Sequence, residues 1–117
     1  MRVAISSDDK ESTSYNLNNA KGFMIYDLAD GRVKNQFYRG ISTPEYRRKT
    51  ESNKVSRQNK DKLLEAVLDC GAVISYAIGE EFINALKHEG VEVYQTQATD
   101  LKSAIHSLIS GRLKALN

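Results

Sequence analysis

The sequence predicts an α/β fold, three layers deep, built on a mixed five-stranded sheet with three helices. Three observations carry that reading. Ala72 to Ala77 is a short, mostly apolar run lying between Gly71 and Gly79, which is how a parallel strand covered on both faces looks. Asp30-Gly31 stands between two strand-like runs, and both residues tolerate the positive φ of a hairpin turn, so those strands are antiparallel. Apolar residues at helical spacing then alternate with strand patterns through the C-terminal half, most clearly Leu101, Ala104, Ile105 and Leu108 at i, i+3, i+4 and i+7.

Taken in order, Arg2 to Ser6 is the first strand, and Ser7 to Asn19 is polar, without period, and reads as a loop. Gly22 to Leu28 and Arg32 to Arg39 are the hairpin strands. Gly40 to Val55, rich in Ser, Thr and charge and holding the single proline, Pro44, is a second loop. A helix from Arg57 to Leu68 turns Leu63, Leu64, Val67 and Leu68 to one face. The strand Ala72 to Ala77 follows, then a helix from Glu81 to His88 with Phe82, Ile83 and Leu86 inward, stopped by Gly90. Val91 to Thr96 is the fifth strand, Thr99 beside Asp100 is the expected N-cap of the last helix, and Gly111 ends it.

The order β-β-β-α-β-α-β-α with right-handed crossovers gives a sheet order of 3-2-1-4-5. The winding reverses between the first and fourth strands, where an open α/β sheet places its ligand crevice. Ser6, Ser7 and Asp8 should wall it on one side, and Ala77, Ile78 and Gly79 on the other. Gly79 lets a ligand approach the backbone amides of a helix start, or is a plain strand-to-helix turn. Glu80 and Glu81 oppose a free anion there.

Composition narrows the class. The 117 residues make one domain, residues 1 to 117, with a core of its own. No apolar run approaches the ~20 residues that span a membrane, and the chain opens directly on a strand, so the expectation is a cytoplasmic protein without a signal peptide. One cysteine excludes an internal disulfide and any site needing several thiolates from one chain. The formal charge of +2 hides an asymmetry: Arg32 to Lys62 holds ten basic and three acidic residues, a net +7, which leaves −5 for the rest. Such a segment attracts anions or is a solvated face.

Few side chains suggest chemistry. Cys70 is a thiolate ligand or a small buried hydrophobe at the amino end of the fourth strand. His88 and His106 lack a second ligand at metal spacing and read as solvated helix residues, so no metal site is expected. Asp8, Asp9 and Asp27 do not converge as a two-metal nuclease requires. Ser6 and Ser7 have no histidine placed as a base, so a hydrolase triad is not expected, though both can donate hydrogen bonds to an anion.

The opening Arg2-Val3-Ala4-Ile5-Ser6-Ser7-Asp8, the second strand Phe23-Met24-Ile25-Tyr26-Asp27, and the C-terminal run Asp69-Cys70-Gly71-Ala72-Val73-Ile74, Ile78-Gly79 and Ala85 to Tyr94 together resemble the dinitrogenase iron-molybdenum cofactor biosynthesis family, nitrogenase accessory-type proteins with a ribonuclease H-like fold. The resemblance implies a non-enzymatic carrier for an anionic metal–sulfur cluster, or for a molybdenum- or iron-containing precursor, held non-covalently and exchanged with a donor or acceptor protein. Relatives carry a His-Phe-Gly-Arg-like turn before the second strand and histidine after the third; this chain has Asn16-Leu17-Asn18-Asn19 and no histidine there. Electrostatic holding therefore replaces imidazole ligation, with Ser6, Ser7, Asp8, Ile78 and Gly79 around the crevice and Arg47, Arg48 and Lys49 as a charged lid. The alternative is a nucleic-acid or protein-partner adaptor using the same basic segment, although no nucleic-acid module signature is present. Arg32, Lys34 and Arg39 on the third strand guard a sheet edge, which points to a monomer.

Overall fold

The computed structural model describes residues 1–14, 17, 20–41, 62–113 and 115–116. Arg47, Arg48 and Lys49, the loop around Pro44 and the expected start of the first helix lie outside them. The elements run β1 (Arg2–Ser6), β2 (Gly22–Ala29), β3 (Arg32–Gly40), helix α1 over residues 62–67, β4 (Ala72–Ser75), α2 (Glu80–His88), β5 (Glu92–Gln95) and α3 (Leu101–Ile109).

The five strands form one sheet in the order β3-β2-β1-β4-β5. β1–β2 and β2–β3 are antiparallel, and β1–β4 and β4–β5 are parallel. The hairpin turn is the expected one: Asp30 and Gly31 take φ of 55° and 73°, with Ala29 paired to Arg32.

Alternation along the strands sorts the core into two faces. Ala4, Phe23, Ile25, Val73 and Val93 point to one side, where Leu63 and Val67 of α1 and Phe82 and Leu86 of α2 cover them. Val3, Ile5, Met24, Tyr26, Ala72 and Ile74 point to the other, beneath Leu101, Ala104 and Ile105 of α3. The sheet is thus the middle layer of three. Gly22 must be a glycine, because a Cβ there would collide with the Tyr38 ring and stand 2.7 Å from the Arg39 carbonyl of the neighbouring strand.

Several expected boundaries shift for local reasons. Asp100, not Thr99, caps α3: its carboxylate accepts the Ser103 N–H at 2.9 Å. α2 begins at Glu80, with Gly79 as its N-cap. β5 starts one residue late because the Val91 N–H closes α2 by donating to the Leu86 carbonyl, with Gly90 at φ 78° between. α1 stops at residue 67, and Leu68, expected on the buried face, is 47 % exposed. β4 ends at Ser75, two residues short, because the chain between β1 and β2 enters beyond it.

Candidate functional site

The carboxyl end of the sheet is where the sequence places a crevice, and the structure shows it capped. Residues 7–14 fold back over the end of β1 in a compact turn. Asp9 Oδ1 accepts the N–H groups of Glu11 (2.9 Å) and Ser12 (2.7 Å), and those bonds hold its carboxyl below the ordinary range. Ser7 Oγ accepts the Lys10 N–H and donates to the Ser12 carbonyl. The turn is tied to α3 by Thr13 N–H on the Thr99 carbonyl and Leu101 N–H on the Glu11 carbonyl.

Ser14 and Leu17 bond to the chain at the carboxyl ends of both β1 and β4. Ser14 N–H donates to the Ser6 carbonyl at 2.8 Å, and Leu17 N–H donates to the Ala77 carbonyl at 3.0 Å. Leu17 is 1 % exposed and belongs to the core cluster containing Phe23 and Phe82, with Ile78 packed against it. A polar loop thus seats one leucine where an open crevice was expected.

The proposed wall residues therefore stand in different situations. Ser6 is fully buried, its hydroxyl 2.6 Å from that of Ser75. Ser7 is fully buried and its hydroxyl is taken up within the turn. Neither faces an open crevice. Asp8 is exposed and accepts the Lys21 N–H at 2.8 Å. Ile78 and Gly79 are half-buried at the start of α2, with Gly79 in ordinary extended backbone. Ser6, Ser7, Asp8 and the Ile78–Gly79 turn thus share one end of the molecule, joined by the polar loop after β1.

That end is rich in hydroxyls. The buried polar side chains among the described residues are Ser6, Ser7, Ser14, Ser75 and Thr96, all at or beyond the carboxyl ends of β1, β4 and β5. Two hydroxyls there, Thr13 Oγ1 and Ser14 Oγ, are buried without a hydrogen-bond partner, a costly arrangement that interior hydroxyls rarely show. The run Ser12-Thr13-Ser14 is the signal the sequence holds for it, within a stretch whose composition reads as loop.

Charge is organised elsewhere. Arg2 forks onto Asp27 (2.7 and 3.2 Å) and reaches Asp69 (2.8 Å). Arg39 also grips Asp69, at 2.8 and 3.1 Å, and donates to the Ala66 carbonyl at the end of α1. Both guanidinium groups lie over the Phe37 ring, 5.4 and 5.5 Å from its centroid. Arg39, with Arg2, holds Asp69 far below the usual carboxylate range. Arg39 is thus not a free edge charge, contrary to the sequence reading; Arg32 and Lys34 remain exposed on β3.

Cys70 is buried, and desolvation pushes its thiol up to about 12, so it is a protonated core residue. His88 and His106 are exposed. Among the described residues no three His, Cys, Asp or Glu side chains come together in a way that could hold a metal ion. No described helix is long and apolar enough to cross a membrane.

Comparison with solved structures places this architecture among known ones. A Methanocaldococcus jannaschii protein provisionally named a dinitrogenase superposes with a TM-score of 0.70 at 21 % identity, over 100 % of this chain and 95 % of its own. The apo form of the orange protein from Desulfovibrio gigas gives 0.74 at 16 % identity, over 97 % and 91 %. A Thermotoga protein provisionally named NifB gives 0.61 at 26 % identity, over 98 % and 92 %. No curated protein is similar enough to count as a relative. The family model described as dinitrogenase iron-molybdenum cofactor matches residues 1–111, and the chain belongs to that family.

Proposed function

We propose that this protein is a non-enzymatic carrier that holds an anionic metal–sulfur cluster, or a precursor of the iron–molybdenum cofactor, and passes it on unchanged. The family match over residues 1–111 carries the reading. Two features of the chain support it. The orphaned hydroxyls of Thr13 and Ser14 are hydrogen-bond donors of the kind an anion accepts, at the end of the sheet where the loops gather. β3, which opens the basic stretch 32–62, finishes at that same end: Gly40 pairs with Gly22, and the Gly22 carbonyl accepts the Ser7 N–H.

In this reading the cargo lies over the cap formed by the loop after β1. Asp8, Ile78 and Gly79 border it, and Ser6 and Ser7 fix the loop beneath. Arg47, Arg48 and Lys49 supply the positive charge. Charge and hydrogen bonding hold the cargo, without ligation by protein side chains. The protein works as a cytoplasmic monomer, with Arg32 and Lys34 discouraging edge pairing, and exchanges its cargo with a donor or acceptor protein.

Replacing Arg47, Arg48 and Lys49 together by Ala tests the reading. The expected result is thiomolybdate binding weakened about tenfold or more, since charge-assisted bonds contribute about 1.5–3 kcal/mol each, with a flatter salt dependence. Unchanged affinity would remove the basic segment from the mechanism. The net charge of +7 over residues 32–62 also favours a second reading, a nucleic-acid adaptor. That reading requires log affinity for arbitrary DNA or RNA to fall linearly with log salt; a blank filter-binding assay at low salt would dismiss it.

A further inference from the structure

A cavity of about 460 Å³ opens beside the edge strand β5 and the loop that follows it, lined by Gln95, Thr96, Gln97, Ala98, Ser107, Arg112 and Leu113. Its size lies in the range of sites for small organic molecules. Among the described residues its lining holds one charged side chain, Arg112, and no acid.

The backbone fixes where that charge sits. α3 ends in a Schellman motif: Gly111, at φ 73°, donates to the Leu108 carbonyl, and the Arg112 N–H donates to the Ser107 carbonyl at 2.9 Å. This brings residues 107 and 112 side by side, positions that frequently make an apolar contact. Here they are a serine and an arginine, and both line the cavity. Across from them, Thr96 is 3 % exposed, and its hydroxyl oxygen accepts the Ala98 N–H at 3.1 Å. That bond uses a lone pair and leaves the hydroxyl proton to donate. The Gln95 amide nitrogen donates to the Tyr76 carbonyl, which leaves its oxygen as an acceptor in the lining.

Among the described residues, the Arg112 guanidinium, the Ser107 hydroxyl and the Gln97 amide make no hydrogen bond or ion pair. One buried hydroxyl and several unengaged donors thus line a single hollow with no acid among its described residues. We infer that the Arg112–Ser107–Thr96 hollow is a binding site for the oxyanion of a small organic molecule, a phosphate ester or a carboxylate whose neutral polar groups meet the Gln95 and Gln97 amides. The negative end of the α3 dipole is close by and disfavours an anion. Arg112 therefore supplies the attraction, with the hydroxyls of Ser107 and Thr96 as orienting donors.

The test is an amide-resolved NMR titration of the full chain at constant ionic strength, with inorganic phosphate, glycerol 3-phosphate and acetate in separate arms. Saturable shifts confined to residues 95–98, 107 and 112 are expected. Tighter binding of glycerol 3-phosphate than of inorganic phosphate or acetate would identify an organic phosphate, and acetate binding best would identify a carboxylate. R112Q, at an exposed side chain that leaves the fold intact, should weaken binding about tenfold or more, and S107A severalfold. Shifts that never saturate, that spread over lysines elsewhere, or that persist undiminished in R112Q would overturn the assignment.

Discussion

At the scale of single residues, charge in this molecule fixes structure in one place and remains available in others. Asp69 joins the end of α1 to β1 through Arg2 and to β3 through Arg39. Arg39 is the larger influence in depressing its pKa, and Asp27 is depressed mainly by Arg2. A carboxylate whose folded pKa lies below its unfolded value of ~3.9 adds stability above that value, and loses it as pH falls toward the folded pKa. Stability should therefore decline on acidification from about pH 4 downward. Asp69→Asn should lower stability by about 1 kcal/mol at neutral pH, the scale of a partly screened ion-pair network, and should flatten the acid limb without abolishing it, because Asp27 and Asp9 still titrate low. Urea denaturation at pH 7 and pH 3 reads both effects. An acid limb as steep as in the parent would show that Asp69 is not the group responsible.

At the scale of elements, the loop between β1 and β2 closes the carboxyl end of the sheet. Leu17, flanked by Asn16 and Asn18, is its anchor in the core. Leu17→Ala should cost about 2–5 kcal/mol, the usual penalty for emptying a leucine site. It should also loosen residues 7–14 more than the sheet, visible as faster amide hydrogen exchange at Ser14 than at Ile5. Uniform loss of protection across the sheet would mean that Leu17 is ordinary core and not the pin of the cap. The sequence conveyed regular elements because periodicity reports burial over several residues: strand order, the hairpin turn and most helix faces were legible, while Leu68 was not. It could not convey the cap, because one leucine in a polar run carries no period. Nor could it convey that the tail returns to the sheet, where Ala115 bridges Tyr94 and Leu116 N–H donates to the Val93 carbonyl. Thr99 and Asp100 are both good caps on composition, and only backbone geometry decided between them.

At the scale of the whole molecule, the covalent path gathers two features at one end. The hydroxyl-rich cap and the end of β3 adjoin, while the Arg2–Asp27–Asp69–Arg39 network engages charges on the face shared with α1. Of the candidate site, the winding reversal between β1 and β4 was legible from topology alone, since it is set by element order. Its closed floor was not legible, because that depends on side-chain engagement at Ser6, Ser7 and Leu17. The proposed role of a strongly basic segment makes salt the natural probe, because attraction between exposed charges is screened over about 10 Å at 0.1 M ionic strength.

The central claim is that the protein holds an anionic metal–sulfur cargo through charge. An anaerobic titration of the purified protein with tetrathiomolybdate or an iron–molybdenum–sulfur cluster, followed by visible absorbance at low and high salt, tests it most directly. The account predicts saturable, stoichiometric binding that weakens markedly at high salt. No binding at tens of micromolar protein, or binding indifferent to salt, would contradict it.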